Sequence, residues 1–122
     1  MYVNHNKLTQ WTVETVAEKL ATSDAWVEQA IVALYKRQVA EETGHVGVTI
    51  YLNDRGFQQA DAKAFTEYAR QILRGENLNS TQIAFARRPW RRSRVPKPTI
   101  CKYARQVLDL IEAKARATQA PR

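Results

Sequence analysis

The chain of 122 residues carries a net charge of +7, with 44% hydrophobic and 25% charged residues, which gives room for one folded domain with a real hydrophobic core and not for two. No run of about 18 apolar residues occurs, which excludes a membrane-spanning helix, and Met1 to Lys7 lack the apolar centre of a signal peptide. A lone cysteine, Cys101, can form no internal disulfide, so the expected location is the reducing cytoplasm.

Hydrophobic periodicity predicts a mainly α fold: a compact bundle of about five helices, with a short strand-like or hairpin loop near residues 44–57. The first helix is expected from about Gln10 to Leu20, with Thr9 as N-cap and Val13, Val16, Ala17 and Leu20 on one stripe. A second, longer helix starts at the cap Ser23 and runs to about Ala40. Its apolar residues Trp26, Val27, Ala30, Ile31, Leu34 and Tyr35 cover more than one face, as in a helix packed on two sides. Between Thr43 and Phe57 the glycines Gly44, Gly47 and Gly56 surround the β-prone run Val46, Val48, Thr49, Ile50, Tyr51.

A third helix is expected over Ala60 to Arg74, striped by Ala62, Phe65, Ala69 and Ile72 and closed by Gly75. The fourth has the clearest start in the chain. With Asn79 as N-cap, Gln82 falls at N3 for reciprocal capping, while Leu78 and Ile83 stand where a hydrophobic staple needs them. Pro89 ends it near Arg88. A last helix begins near Pro98 with Ile100, Tyr103, Ala104, Val107 and Ile111 on its apolar stripe, and the tail is expected to fray beyond about Ala113. The whole chain, 1–122, is then one helical domain bearing a basic Arg- and Pro-rich insert at 87–98.

Charge is polarised along this chain. Residues 1–60 carry 5 Lys or Arg against 7 Asp or Glu, whereas residues 61–122 carry 14 against 5. The density peaks at Arg87, Arg88, Trp90, Arg91, Arg92, Arg94, Lys97, Lys102 and Arg105, and no acidic residue occurs between Glu76 and Asp109. Crowded cations repel one another and call for a counter-charge, and phosphate fits the forked donors of arginine. Trp90 among them is suited to stacking on an unpaired base. In the plainer alternative the arginines cap helix ends or pair with carboxylates of the acidic half, and Trp90 closes the bundle.

Other patterns point to chemistry less strongly. Residues 13–32 have the apolar spacing of a helix-turn-helix, but the would-be recognition helix presents Asp24 and Glu28, which would repel phosphates, so a plain helical hairpin is the better reading. His5, His45 and Cys101 do not have metal-ligand spacing. Asp54, Asp61, Glu67 and Glu76 could bind Mg²⁺ in principle, but no signature joins them and they read as caps and solvated charges. Gly44 to Gly47 lacks the lysine and hydroxyl of a phosphate-binding loop. Cys101, beside an apolar stripe, reads as a packed thiol. No catalytic residue, metal or cofactor is expected.

Leu20-Ala21-Thr22-Ser23-Asp24 with Trp26, Ala30-Ile31 and Ala33-Leu34-Tyr35-Lys36-Arg37-Gln38 is followed by Asn53-Asp54-Arg55-Gly56-Phe57, Asp61-Ala62 and Gly75. Gln82, Ala86-Arg87 and Lys102-Tyr103-Ala104-Arg105-Gln106-Val107 complete the set. This series resembles the pattern of a family of small bacteriophage and mobile-element proteins without known activity. Asp54 stands where that pattern has Gly, and the stretch from Pro89 to Pro98 is an insert peculiar to this chain. The resemblance implies a bacterial host cell and one integrated domain, and it brings no functional residue. Two functions remain in view: a non-enzymatic DNA- or RNA-binding accessory protein, with backbone contacts from the insert and last helix, or an interaction module that docks on a host or phage enzyme through an acidic patch of that partner.

Overall fold

A computed structural model of the protein describes residues 10–44, 57–90 and 97–119. They form five α-helices: α1 (Val13–Thr22), α2 (Asp24–Gly44), α3 (Gln59–Leu73), α4 (Ser80–Ala86) and α5 (Ala104–Gln119), with a 3-10 turn at Thr99–Tyr103 leading into α5. No strand occurs among the described residues; one isolated antiparallel bridge joins Pro89 to Pro98. The mainly helical bundle expected from the sequence is the fold observed.

Local chemistry explains most boundaries. The first helix starts at Val13, later than periodicity suggested, because Thr12 rather than Thr9 caps it. The Thr12 hydroxyl accepts from the Thr15 N–H at 3.1 Å, and the Thr15 hydroxyl accepts from the Thr12 N–H at 2.8 Å. Thr9 itself lies outside the described residues. Ser23 opens α2 as expected, its hydroxyl accepting from the Trp26 N–H at 3.3 Å. That helix continues past Ala40 to Gly44, so Gly44 belongs to a helix; the rest of the expected hairpin, 45–56, lies outside the described residues.

Helix α3 stops in the manner its sequence announces. Gly75 takes φ +96°, and the N–H groups of Gly75 and Glu76 donate back to the carbonyls of Ile72 and Gln71 at 2.9 and 3.2 Å, a Schellman closure. Helix α4 has the reciprocal cap read from its sequence: Asn79 Oδ1 accepts from the Gln82 N–H at 2.8 Å and Gln82 Oε1 from the Asn79 N–H at 2.9 Å. Leu78 and Ile83, the two staple residues, are both buried. At the C-terminal end α5 holds its form to Gln119, longer than the fraying expected beyond Ala113; its half-buried Ile111 and Ala115 carry the packed face past that point.

Helix α2 is the spine. It packs chiefly on α3, and also touches α1, α4 and α5, while α1 lies against α5 and the 3-10 turn. This accounts for its broad apolar surface: Val27, Ala30, Ile31 and Leu34 are buried, with Trp26 and Tyr35 half-buried. An aromatic cluster fills the centre, where Phe57 and Phe65 meet edge to face at 5.4 Å and Tyr103 approaches each of them at 6.2 Å. Phe57 is held by its own backbone, whose N–H donates to the buried Gln38 Oε1 at 3.1 Å. These contacts fix the start of α3 against the 3-10 turn.

Candidate nucleic-acid interface

The two ends of the basic insert are pinned to each other. The Trp90 N–H donates to the Lys97 carbonyl and the Thr99 N–H to the Arg88 carbonyl, each at 2.8 Å, and the Thr99 hydroxyl adds a second bond to the Arg88 carbonyl at 2.7 Å. Prolines at 89 and 98 have no N–H to give, so the ladder uses only the positions that can donate. Arg91, Arg92 and Arg94 belong to the six residues that join these anchored ends, and lie outside the described residues.

Beside the ladder stands Asp61, three residues beyond the N-cap position of α3 and fully buried. Its Oδ1 is 2.8 Å from Arg88 Nη2; its Oδ2 is 2.7 Å from Lys102 Nζ and accepts from the Tyr103 hydroxyl at 2.5 Å. Tyr103 in turn accepts from the Gln58 N–H at 2.9 Å. Burial by itself would raise the Asp61 pKa, but hydrogen bonds from Lys102, Tyr103 and Arg88, together with the Lys102 charge, outweigh it and hold the carboxyl below its usual range. The Tyr103 phenol is pushed well above the ordinary tyrosine range by burial first and then by its bond to Asp61. The cluster is therefore one anion, two cations and a neutral phenol.

Reading Asp61 as a cap or solvated charge is corrected by this geometry. Its depth comes from the packing of α3 on the 3-10 turn, and nothing in the local sequence marks it. Glu67 and Glu76 are exposed as expected. Tyr103 and Gln58, which complete the cluster, carried no polar signal: Tyr103 stood out only as a member of an apolar stripe. Among the described residues no three His, Cys, Asp or Glu side chains gather as a metal site. Cys101 is half-buried, its thiol donating to the Ala17 carbonyl at 3.3 Å, and burial raises its pKa, which suits a packed thiol.

Of the nine residues singled out by charge, the six that lie among the described residues divide into three groups. Arg87 reaches into the α1–α2 corner, where Nη1 is 2.7 Å from Asp24 Oδ1 and Nε donates to the Leu20 carbonyl at 3.0 Å; this is the plainer alternative realised at one position. Arg88 and Lys102 bind Asp61, with Arg88 also stacked over the Phe85 ring at 4.0 Å. Lys97 and Arg105 are exposed, and Trp90 is half-buried with Lys102 Nζ 5.8 Å from its ring centre.

Arg88, Lys102 and Trp90 share one feature. With Gln58, Gln59, Ala60, Asp61, Pro89 and Thr99 they line an open cleft of about 780 Å³, within the range of roughly 300–1,000 Å³ usual for ligand clefts. No protein-family model, curated protein or solved structure matches the chain. The bacteriophage and mobile-element setting thus stands on the sequence pattern alone. Among the described residues no helix is long and apolar enough to cross a membrane.

Proposed function

We propose that this chain is a non-enzymatic nucleic-acid-binding accessory protein of a bacterial host cytoplasm, working without a cofactor and gripping the phosphate backbone through its basic insert. One observation carries the reading: the insert is anchored at the mouth of a cleft whose wall already holds two cations for one carboxylate. The described residues at both ends of the stretch that holds Arg91, Arg92 and Arg94 thus add net positive charge. Lys97 and Arg105, both exposed, extend the same basic character, whereas Arg87 is spent within the fold and is not part of the proposed contact surface.

Backbone contacts of this kind release counterions, so affinity should fall steeply with salt. If Arg91, Arg92, Arg94, Lys97 and Arg105 each neutralise one phosphate, log K against log[salt] has a slope of roughly −4. Fluorescence anisotropy of labelled DNA and RNA across a salt series measures it. The variant with Arg91, Arg92 and Arg94 changed to Ala is expected to lose most of the binding and to flatten the slope. A wild-type slope near zero, or a variant that binds as well as wild type, overturns the proposal.

A second reading rests on a different surface. Ala25, Val32, Ala33, Ile72 and Leu73, together with Glu28, Gln29 and Lys36, line a shallow groove between α2 and α3 where Leu73 is 52% exposed, and an exposed apolar side chain rimmed by polar ones favours a protein-interaction module. Pull-down from host lysate after nuclease treatment separates the readings. A stoichiometric protein that survives the treatment and is released by Leu73→Glu favours the second; loss of all bound material with the nucleic acid favours the first.

A further inference from the structure

The cleft at the start of α3 is concave, while a duplex presents a convex ladder of phosphates with its bases stacked on both faces. Lys102 lies along the wall with its side chain only 6% exposed, and among the described residues the acceptor for its three N–H donors is Asp61 Oδ2 at 2.7 Å. Asp61 also takes Arg88 and the Tyr103 hydroxyl, and although it borders the cleft its side chain is fully buried. One positive charge is left over. The first turn of α3 adds to it, since Gln58 makes no side-chain cap bond there and the helix N-terminus borders the same space. Trp90 borders the same cleft, its ring centre 5.8 Å from Lys102 Nζ and its backbone pinned to Lys97, and Gln58 and Gln59 are among the lining residues.

We infer that this cleft takes one unpaired nucleotide of a single strand, DNA or RNA, with its phosphate at Lys102, Arg88 and the α3 N-terminus and its base stacked on Trp90. The inference rests on the nucleic-acid reading above and deepens it: the insert supplies affinity for any polyanion, and the cleft selects single strands over duplex. A base held within a duplex is already stacked and cannot lie on the Trp90 ring without leaving its partner, which costs unpairing energy.

Tryptophan fluorescence provides the test. Oligothymidylate and oligouridylate, each 15 nucleotides, and a duplex of equal length are titrated into the full chain at one fixed salt concentration. Single strands are expected to quench the emission and to bind at least tenfold more tightly than duplex. Trp90→Phe keeps an aromatic face, so it should retain single-strand affinity within a few-fold while losing the quench, which identifies Trp90 against Trp11 and Trp26. Trp90→Ala is expected to lose roughly 5- to 150-fold in single-strand affinity and little for duplex, with circular dichroism checking that it folds. If polynucleotides bind with salt dependence but single strand and duplex bind alike, or the quench survives undiminished in Trp90→Phe, the cleft assignment fails and the backbone reading stands. If no polynucleotide binds the folded chain at low salt, both fail.

Discussion

Arg87 and Arg88 are neighbours in sequence, and each meets an aspartate at almost the same distance, 2.7 Å to Asp24 and 2.8 Å to Asp61. The surroundings make the two pairs unlike. Asp24 is 68% exposed, so water competes for its carboxylate, while its partner Arg87 is 22% exposed. Asp61 is fully buried and is served by three donors from Arg88, Lys102 and Tyr103. Exposed pairs typically contribute about 0.2–1 kcal/mol, whereas removing one partner of a buried pair typically costs about 3–5 kcal/mol, because the charge left behind has no water to turn to. Separation alone says nothing of this difference; burial and the number of donors decide it.

The largest expected effect breaks the buried side of the comparison. Asp61→Asn leaves Lys102 and Arg88 without a counter-charge in a site closed to water on one side, and should cost about 3–5 kcal/mol by urea unfolding at pH 7. A value below about 1 kcal/mol would show that the cluster is as well solvated as the exposed pair. The same variant sharpens the pH behaviour. Asp61 has its folded pKa held below the usual value, so its stabilising contribution is complete above the unfolded pKa of about 3.9 and is lost as pH falls through the lower folded pKa. Wild type should therefore lose stability more steeply than Asp61→Asn below about pH 4, as pH-dependent denaturation would record. Parallel curves would place the acid sensitivity in other carboxylates.

Next in size is Tyr103→Phe, which keeps the aromatic packing against Phe57 and Phe65 but takes one donor from Asp61 and the acceptor from the Gln58 N–H. Leaving such buried groups short of a partner costs about 1–3 kcal/mol. Because Lys102 and Arg88 still hold the carboxylate, the loss should stay below that of Asp61→Asn. A Tyr103→Phe loss equal to it would mean that the phenol, not the cations, keeps the aspartate ionised in the interior.

The same contrast explains what could be read from the sequence. The end of α3 and the start of α4 were legible, since Gly75, Asn79, Gln82, Leu78 and Ile83 act within one turn of chain and their chemistry is local. The basic segment was legible as a density of charge, but not as a set of fates. Arg87, Arg88 and Lys102 look alike in the sequence as members of one cationic run, yet each is sorted by an aspartate 63, 27 or 41 positions away. Asp61 was misread for the same reason. An acidic residue in a helix's first turn is ordinarily a solvated partner of the helix dipole, and only the approach of Tyr103 and the 3-10 turn closes water off from it. Thr12 was passed over for Thr9 because hydrophobic periodicity fixes a helix's face more firmly than its first residue.

The smallest effect belongs to the exposed pair, and it tests whether Arg87 is held by its charge or by its packing. Asp24→Ala removes the carboxylate 2.7 Å from Nη1 and also an acid from the first turn of α2, where the helix dipole favours negative charge by about 0.3–1 kcal/mol. Arg87 nevertheless keeps its Nε bond to the Leu20 carbonyl at 3.0 Å, and water can replace the aspartate at an exposed corner. The expected loss is about 0.5–1 kcal/mol in low salt, shrinking towards a few tenths in 1 M salt, where screening acts within about 3 Å. Urea unfolding at the two salt concentrations measures both values. A loss above about 2 kcal/mol that ignores salt would show that Arg87 depends on Asp24 as Arg88 and Lys102 depend on Asp61, and the division between the two pairs would have to be redrawn.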